Sequence, residues 1–169
     1  ILGPRDDKRS NDSLALVTNM CAGLANFSTG GAEAMELEKY WHPRCNWYGP
    51  SGIGTGRGLS GFHNWHQIPF LNGLPDPGGI SEKQNMFADG DYVGFTGWPG
   101  MRMTVSGDGW LGIPPAEQQI TMRNLDFWRC EKGLIRENWV LIDLLDVYHQ
   151  LGVDVLGRMR EFNKAKRLS

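Results

Sequence analysis

What the chain lacks narrows it first. No apolar run in its 169 residues approaches the ~18 that a membrane-crossing helix requires, so no membrane association is expected. Neither sign of charge dominates: 17 Lys and Arg stand against 19 Asp and Glu, a formal net charge of −2. The basic residues are scattered, which removes the electrostatic footprint of a nucleic-acid binder. Their one concentration, Arg158, Arg160, Lys164, Lys166 and Arg167, reads as a solvated helix end or frayed tail. Only three cysteines occur (Cys21, Cys45, Cys130), odd in number and without paired spacing. They argue against a disulfide frame and for reduced thiols in a cytoplasmic protein. The opening ILGPRDDKRSND has neither an initiator Met nor the apolar core of a signal peptide and reads as a trimmed end. No repeat or linker divides the sequence, so one domain is expected over 1–169, with flexible ends at 1–11 and 160–169. Several catalytic signatures are missing too: a nucleophile elbow, a Cys/His metal cluster, a dinucleotide fingerprint.

Glycine and aromatic residues are plentiful instead. There are 23 Gly, seven Trp, seven Phe and four Tyr. Many turns and many rings point to a mixed or β-rich fold with an aromatic-lined interior. The glycine-punctuated SGIGTGRGLSG (51–61) invites a phosphate-loop reading, but no Gly-Lys-Ser/Thr follows and no strand clearly feeds it.

Periodicity supplies the order of elements. Val17, Met20, Cys21, Leu24 and Phe27 recur at helical spacing and predict a helix over 13–27, with Asn11 and Asp12 as cap candidates. A second short helix is expected over 32–41, a short strand at 45–48, and a third helix over 57–68 carrying Phe62, His63, Trp65 and His66. From residue 80 the period changes to two. Asp89-Gly90 marks a hairpin, Met101 to Val105 a third strand, 120–130 a fourth and 134–141 a fifth. Asp143 stands where the N-cap of a closing helix belongs. The sum is an α+β fold, helices packed on one face of a curved antiparallel sheet.

The fourth and fifth strands carry the chemistry. Alternation puts Ile120, Met122, Asn124, Asp126, Trp128 and Cys130 on one face, the more apolar at both ends and free of cations, hence inward. A three-residue loop Glu131-Lys132-Gly133 would set Asp126 opposite Asn138 and Trp128 opposite Arg136; a two-residue Lys132-Gly133 turn would set Trp139 opposite Asp126. A carboxylate on an apolar face is costly to ionise unless paired, and its pKa rises. Such a group suits proton abstraction beside a carbonyl near neutral pH. The alternative is a structural Asp126, salt-bridged to Arg123 or Arg136. His66 is a candidate polar group of the same pocket. His63 and His66 lack the further ligands a metal site needs, and no cofactor is expected.

The helical start, the joint YWHPRCNWYGPSGIGTGRGLSGF, the strand pair DFWRCEKGLIRENW and the closing HQLG together resemble the SnoaL-like polyketide cyclases of the nuclear transport factor 2-like superfamily, over roughly residues 13–157. The resemblance implies a cone-shaped α+β barrel with a deep apolar pocket, homodimers, and acid/base chemistry without metal or organic cofactor. It places the family's two pocket histidines at Asp126 and Asn138, its catalytic aspartate at Val140, and its pocket asparagine at or close to Trp47. The expectation is therefore a pocket for a small apolar or aromatic molecule, with Asp126, Asn138 and His66 as the reactive group and its helpers. Trp47, Tyr48, Phe62, His63, Trp65, Trp128 and Val140 would line it. Three functions remain open: a cofactor-independent isomerase, lyase or hydrolase, a non-catalytic binding module, or an aldol-type polyketide cyclase.

Overall fold

The computed structural model describes residues 4–167. Helix α1 spans Asp7–Leu24 and starts earlier than its apolar periodicity implies, because Asp6 caps it: its carboxylate accepts from the Arg9 N–H at 3.0 Å. Val17 and Met20 turn into the core. A single turn, α2 (Phe27–Gly30), follows. The helix expected over 32–41 does not form. Two 3₁₀ turns, Ala32–Met35 and Leu37–Lys39, replace it, separated by Glu36 in the left-handed conformation (φ 49°), which no α-helix accommodates. Trp41 thereby becomes the first residue of strand β1 (Trp41–Tyr48) rather than the end of a helix. The glycine-rich stretch forms the short β2 (Thr55–Arg57), not an anion loop. Gly56 serves close packing there: a Cβ at this position would lie 2.8 Å from the Phe62 Cα.

A continuous helical run then covers residues 58–73. It begins as α3 (Gly58–Phe62), widens to a π turn over His63–Gln67 and closes as α4 (Ile68–Gly73). Pro69 has no N–H to return to the Trp65 carbonyl, and the wide turn falls where that bond is lost. The remaining strands are β3 (Gly78–Gly79), β4 (Gln84–Asp89), β5 (Tyr92–Val105), β6 (Gln118–Glu131) and β7 (Leu134–Ile142). Met101–Val105 is not a separate strand; it continues β5 beyond an irregularity at 97–101. The sheet runs β2-β1-β7-β6-β5-β3, with β4 on the other half of β5. All pairs are antiparallel except β1–β7, which is parallel, so the sheet is mixed rather than purely antiparallel. Bulges in β5 and β7 bend it, and it curves without closing.

Helix α5 (Leu144–Gln150) starts at Asp143, whose carboxylate accepts from the Asp146 N–H at 3.1 Å, as expected of an N-cap. Helix α6 (Val155–Arg167) completes the described chain. Of the ends expected to be flexible, residues 7–11 lie in α1 and 160–167 in α6, while 1–3 and 168–169 lie outside the described residues. Arg160 and Lys164 on α6 pair with Asp154 and Glu161 in solvent. The three cysteines are free, and no described helix is long and apolar enough to cross a membrane.

Candidate active site

The β6–β7 hairpin decides which side chains meet. Lys132 and Gly133 both have positive φ (52° and 78°), the signature of a two-residue turn closed by Glu131 and Leu134. A one-residue bulge at Arg136 then shifts the register, so that Cys130 pairs with Ile135 but Arg129 pairs with Glu137. Asp126 therefore faces Val140, and Trp128 faces Asn138. Neither loop length considered from the sequence predicts that pairing, because the bulge is invisible to a turn count. Asn138 remains within reach of Asp126 as its diagonal neighbour. The inward face of β6 is the expected one, with Ile120, Met122, Asn124, Trp128 and Cys130 all buried.

This face forms part of the wall of a cavity of about 470 Å³ enclosed by α1, the 58–73 helix and the inner side of the sheet. Asp126, Asn138, His66, Trp47, Phe62, Trp128 and Val140 all border it. Tyr48, His63 and Trp65 do not. Trp65 is 78% exposed, because a helix that turns Phe62, His66 and Phe70 inward must turn residue 65 outward. Tyr48 follows the inward Trp47 on a strand and so points the other way, where it stacks on Trp139 at 5.7 Å. The His63 ring lies 3.3 Å from the Gln67 Oε1, within its own helix. His42 accepts from the Arg44 N–H at 3.0 Å, a local structural role, and His149 is exposed.

The electrostatics centre on Asp126. Neither arginine proposed as its partner engages it. Arg123 lies 3.4 Å from Asp143 and 3.3 Å from Asp146, and Arg136 lies 3.5 Å from Glu131. Burial pushes the Asp126 carboxyl up to about 6, while the amides of Asn124 and Asn138 pull it back toward the ionised form. The Asn124 Nδ2 donates to the Asp126 Oδ2 at 2.7 Å, and the Asn138 Nδ2 also donates to the Phe127 carbonyl at 3.1 Å. Asn124 was legible as an inward residue two positions before Asp126, yet its contact with the carboxylate emerges only in the fold.

Burial lowers His66 to about 3, so its ring stays neutral and stacks on Trp47 at a centroid distance of 3.9 Å. Burial likewise holds the Cys21 thiol, on the α1 wall, up to about 12, with the nearby Asp126 charge adding to the effect. A thiol so protonated is not a nucleophile near neutral pH. Among the described residues no three His, Cys, Asp or Glu side chains converge to hold a metal ion. The arrangement is thus a single carboxylate with two amide donors and a neutral imidazole, set in aromatic and aliphatic walls. It can take up or release one proton near neutrality.

The comparisons with known proteins agree with this architecture. No curated protein sequence matches significantly. Among solved structures, a candidate SnoaL-like polyketide cyclase from Jannaschia sp. CCS1 superposes with a TM-score of 0.66 at 18% identity, over 86% of this chain and 94% of that one. IdmH, a candidate polyketide cyclase from Streptomyces antibioticus, gives 0.61 at 23% identity over 80% and 98%. A nuclear transport factor 2-like protein from Burkholderia xenovorans LB400 gives 0.59 at 14% identity over 83% and 96%. These likenesses establish the cone-shaped α+β fold. The model of the SnoaL-like polyketide cyclases matches residues 25–151, and the chain belongs to that family.

Proposed function

We propose that this chain is a cofactor-independent acid/base enzyme acting on a small, largely apolar molecule that carries a carbonyl group, with Asp126 as the base. One observation carries the reading: a carboxylate without a cationic partner, raised to about 6, borders an apolar cavity large enough for a small ligand. A carboxylate that is easily ionised in water is a weak base; desolvation strengthens it while leaving it mostly ionised at neutral pH. Asp126 takes a proton from the carbon next to the carbonyl, and the resulting enolate attacks a second carbonyl or returns a proton at another position. Asn138 orients the carboxylate or the substrate, and the neutral His66 polarises an oxygen. Trp47, Phe62, Trp128 and Val140 hold the hydrocarbon part and exclude water.

An aldol-type ring closure is the version of this chemistry that family membership favours. The resemblance puts the family's aspartate at Val140, and Val140 is the residue directly across from Asp126. One strand-to-strand step separates the two positions, so a carboxylate from either points into the same cavity. The absence of an arginine at Asp126 speaks against a purely structural carboxylate in a binding module.

The test needs no knowledge of the natural substrate. In D2O the protein is expected to accelerate deuterium uptake at the carbons flanking the carbonyl of 2-tetralone, followed by proton NMR. Asp126→Asn should reduce that rate at least ~100-fold, within the usual contribution of general base catalysis, while binding of the ketone persists. An Asp126→Asn protein that exchanges as fast as the parent overturns the assignment.

The homodimer implied by the resemblance receives its own support. Across five strands the register aligns Phe87, Gly94, Phe127, Trp139 and Tyr48 in one row on the outer face of the sheet. Phe87, Phe127 and Trp139 are 52%, 45% and 38% exposed, and Leu141 beside them is half-exposed. We infer that a second copy of the chain covers this row.

A further inference from the structure

Asn124 is 6% exposed, and its Oδ1 is buried with no hydrogen-bond partner. A buried carbonyl left unpaired disfavours folding, and a leucine of the same shape would avoid that penalty. What the asparagine does in return is donate its Nδ2 to the Asp126 Oδ2 at 2.7 Å. The orphaned oxygen faces two glycines on β5. A Cβ on Gly100 would lie 2.6 Å from it and would displace it, and one on Gly97 would crowd it at 3.1 Å, so the bare backbone of these residues makes room for the side chain. Both glycines belong to the irregular segment where the β5–β6 register shifts, between the Gly97–Asn124 and Met101–Met122 pairs. The irregularity thus seats the one amide that reaches the carboxylate from its own strand.

We propose that Asn124, seated against Gly97 and Gly100, is a positioning residue for Asp126: its amide fixes the carboxylate in one orientation and favours its ionised, base-competent form. The proposal rests on the reading of Asp126 as the base. The donor must face the carboxylate, because the opposite amide orientation would set oxygen against oxygen. The glycine side offers no side-chain partner to either end of the amide, so the carboxylate alone decides the orientation. Two further titratable groups border the same cavity, Cys21 from α1 and His66 from the π turn. Cys21 stays a neutral thiol and His66 a neutral imidazole through the range in which Asp126 titrates. Arg123 and Arg129 of β6 lie on its outer face, paired with Asp143, Asp146 and Glu137.

The test is the titration of the Asp126 carboxyl carbon by NMR in the full chain, alongside thermal unfolding. In the parent the midpoint is expected near 6. In Asn124→Leu it should rise by about one pH unit, the loss of one charge-assisted donor, with a melting temperature unchanged or higher. Gly100→Ala, which crowds the amide without deleting it, should move the midpoint in the same direction. Asn124→Gln, which keeps the amide on a longer arm, should raise it less than Asn124→Leu does. A purely structural Asn124 predicts the reverse, a lower melting temperature and an unmoved midpoint, and that result overturns the proposal while leaving Asp126 as the base. A parent midpoint in the ordinary carboxylate range instead removes the reading of Asp126 itself, and this proposal with it.

Discussion

The burial that suits Asp126 to the proposed role of base also bears on stability. Its carboxyl has a higher pKa in the folded chain, about 6, than its ordinary value of 3.8. The folded state therefore binds the proton more tightly, and stability falls as pH rises between those two values. At neutral pH the buried charge costs up to about 3 kcal/mol, from 1.36 kcal/mol per pKa unit. Asp126→Asn should accordingly be more stable than the parent at pH 7, by roughly 1–3 kcal/mol, and equal to it near pH 4. Denaturant unfolding at the two pH values measures this. A parent activity that rises with pH through about 6 is the kinetic counterpart, since only the ionised form accepts a proton. His66 acts in the opposite direction: its imidazole is held near 3 in the folded chain against an ordinary 6.5. The unfolded state therefore takes up the proton first, and stability falls progressively as the pH drops from about 6.5 toward 3.

At the scale of elements, β6 and β7 determine where the carboxylate sits. The two-residue turn and the bulge at Arg136 place Val140 opposite Asp126, with side chains on the same inner face. Cβ atoms of such a pair lie about 4.5–5.5 Å apart. The register thus predicts that the carboxylate can move one strand over. Asp126→Val should abolish α-proton exchange, and adding Val140→Asp should recover at least a tenfold rate over that single variant, read by the same NMR assay. No recovery would show that Asn124 and Asn138 serve a carboxylate only at position 126. The inward face of β6 was readable from alternation alone, as was the N-cap at Asp143. The bulge was not, because one extra residue in a strand leaves no local sequence signal. Tyr48 and Trp65 were misplaced for a related reason: their ring chemistry suits a pocket wall, but strand alternation and helical phase point them away from it.

For the molecule as a whole, the outer sheet face is the surface that bears on assembly. Its aromatic row and the adjoining Leu141 expose roughly 400 Å² of apolar surface, given about 150–250 Å² per aromatic ring. That is the size of patch that marks interaction sites on monomers and about half of the ~800 Å² each partner contributes to a stable interface. Light scattering after gel filtration should find a dimer for the parent. Phe127→Lys combined with Trp139→Lys should give a monomer, since like charges would meet across a two-fold axis. A monomeric parent at micromolar concentration sinks the inferred interface. Neither substitution touches the cavity, so exchange activity separates assembly from chemistry.

The sequence by itself determined the α+β class, the inward face of β6 and the presence of a carboxylate among rings. Each of these follows from local periodicity, which neighbouring residues impose on one another through the backbone. The tertiary structure alone decided the partners of that carboxylate. Asn124 donates to it from a place that two glycines on another strand leave open, Val140 faces it because of a bulge, and both arginines pair with acidic groups elsewhere. Each of those arrangements depends on how separate strands pair, shift register and bend, which no short stretch of sequence encodes.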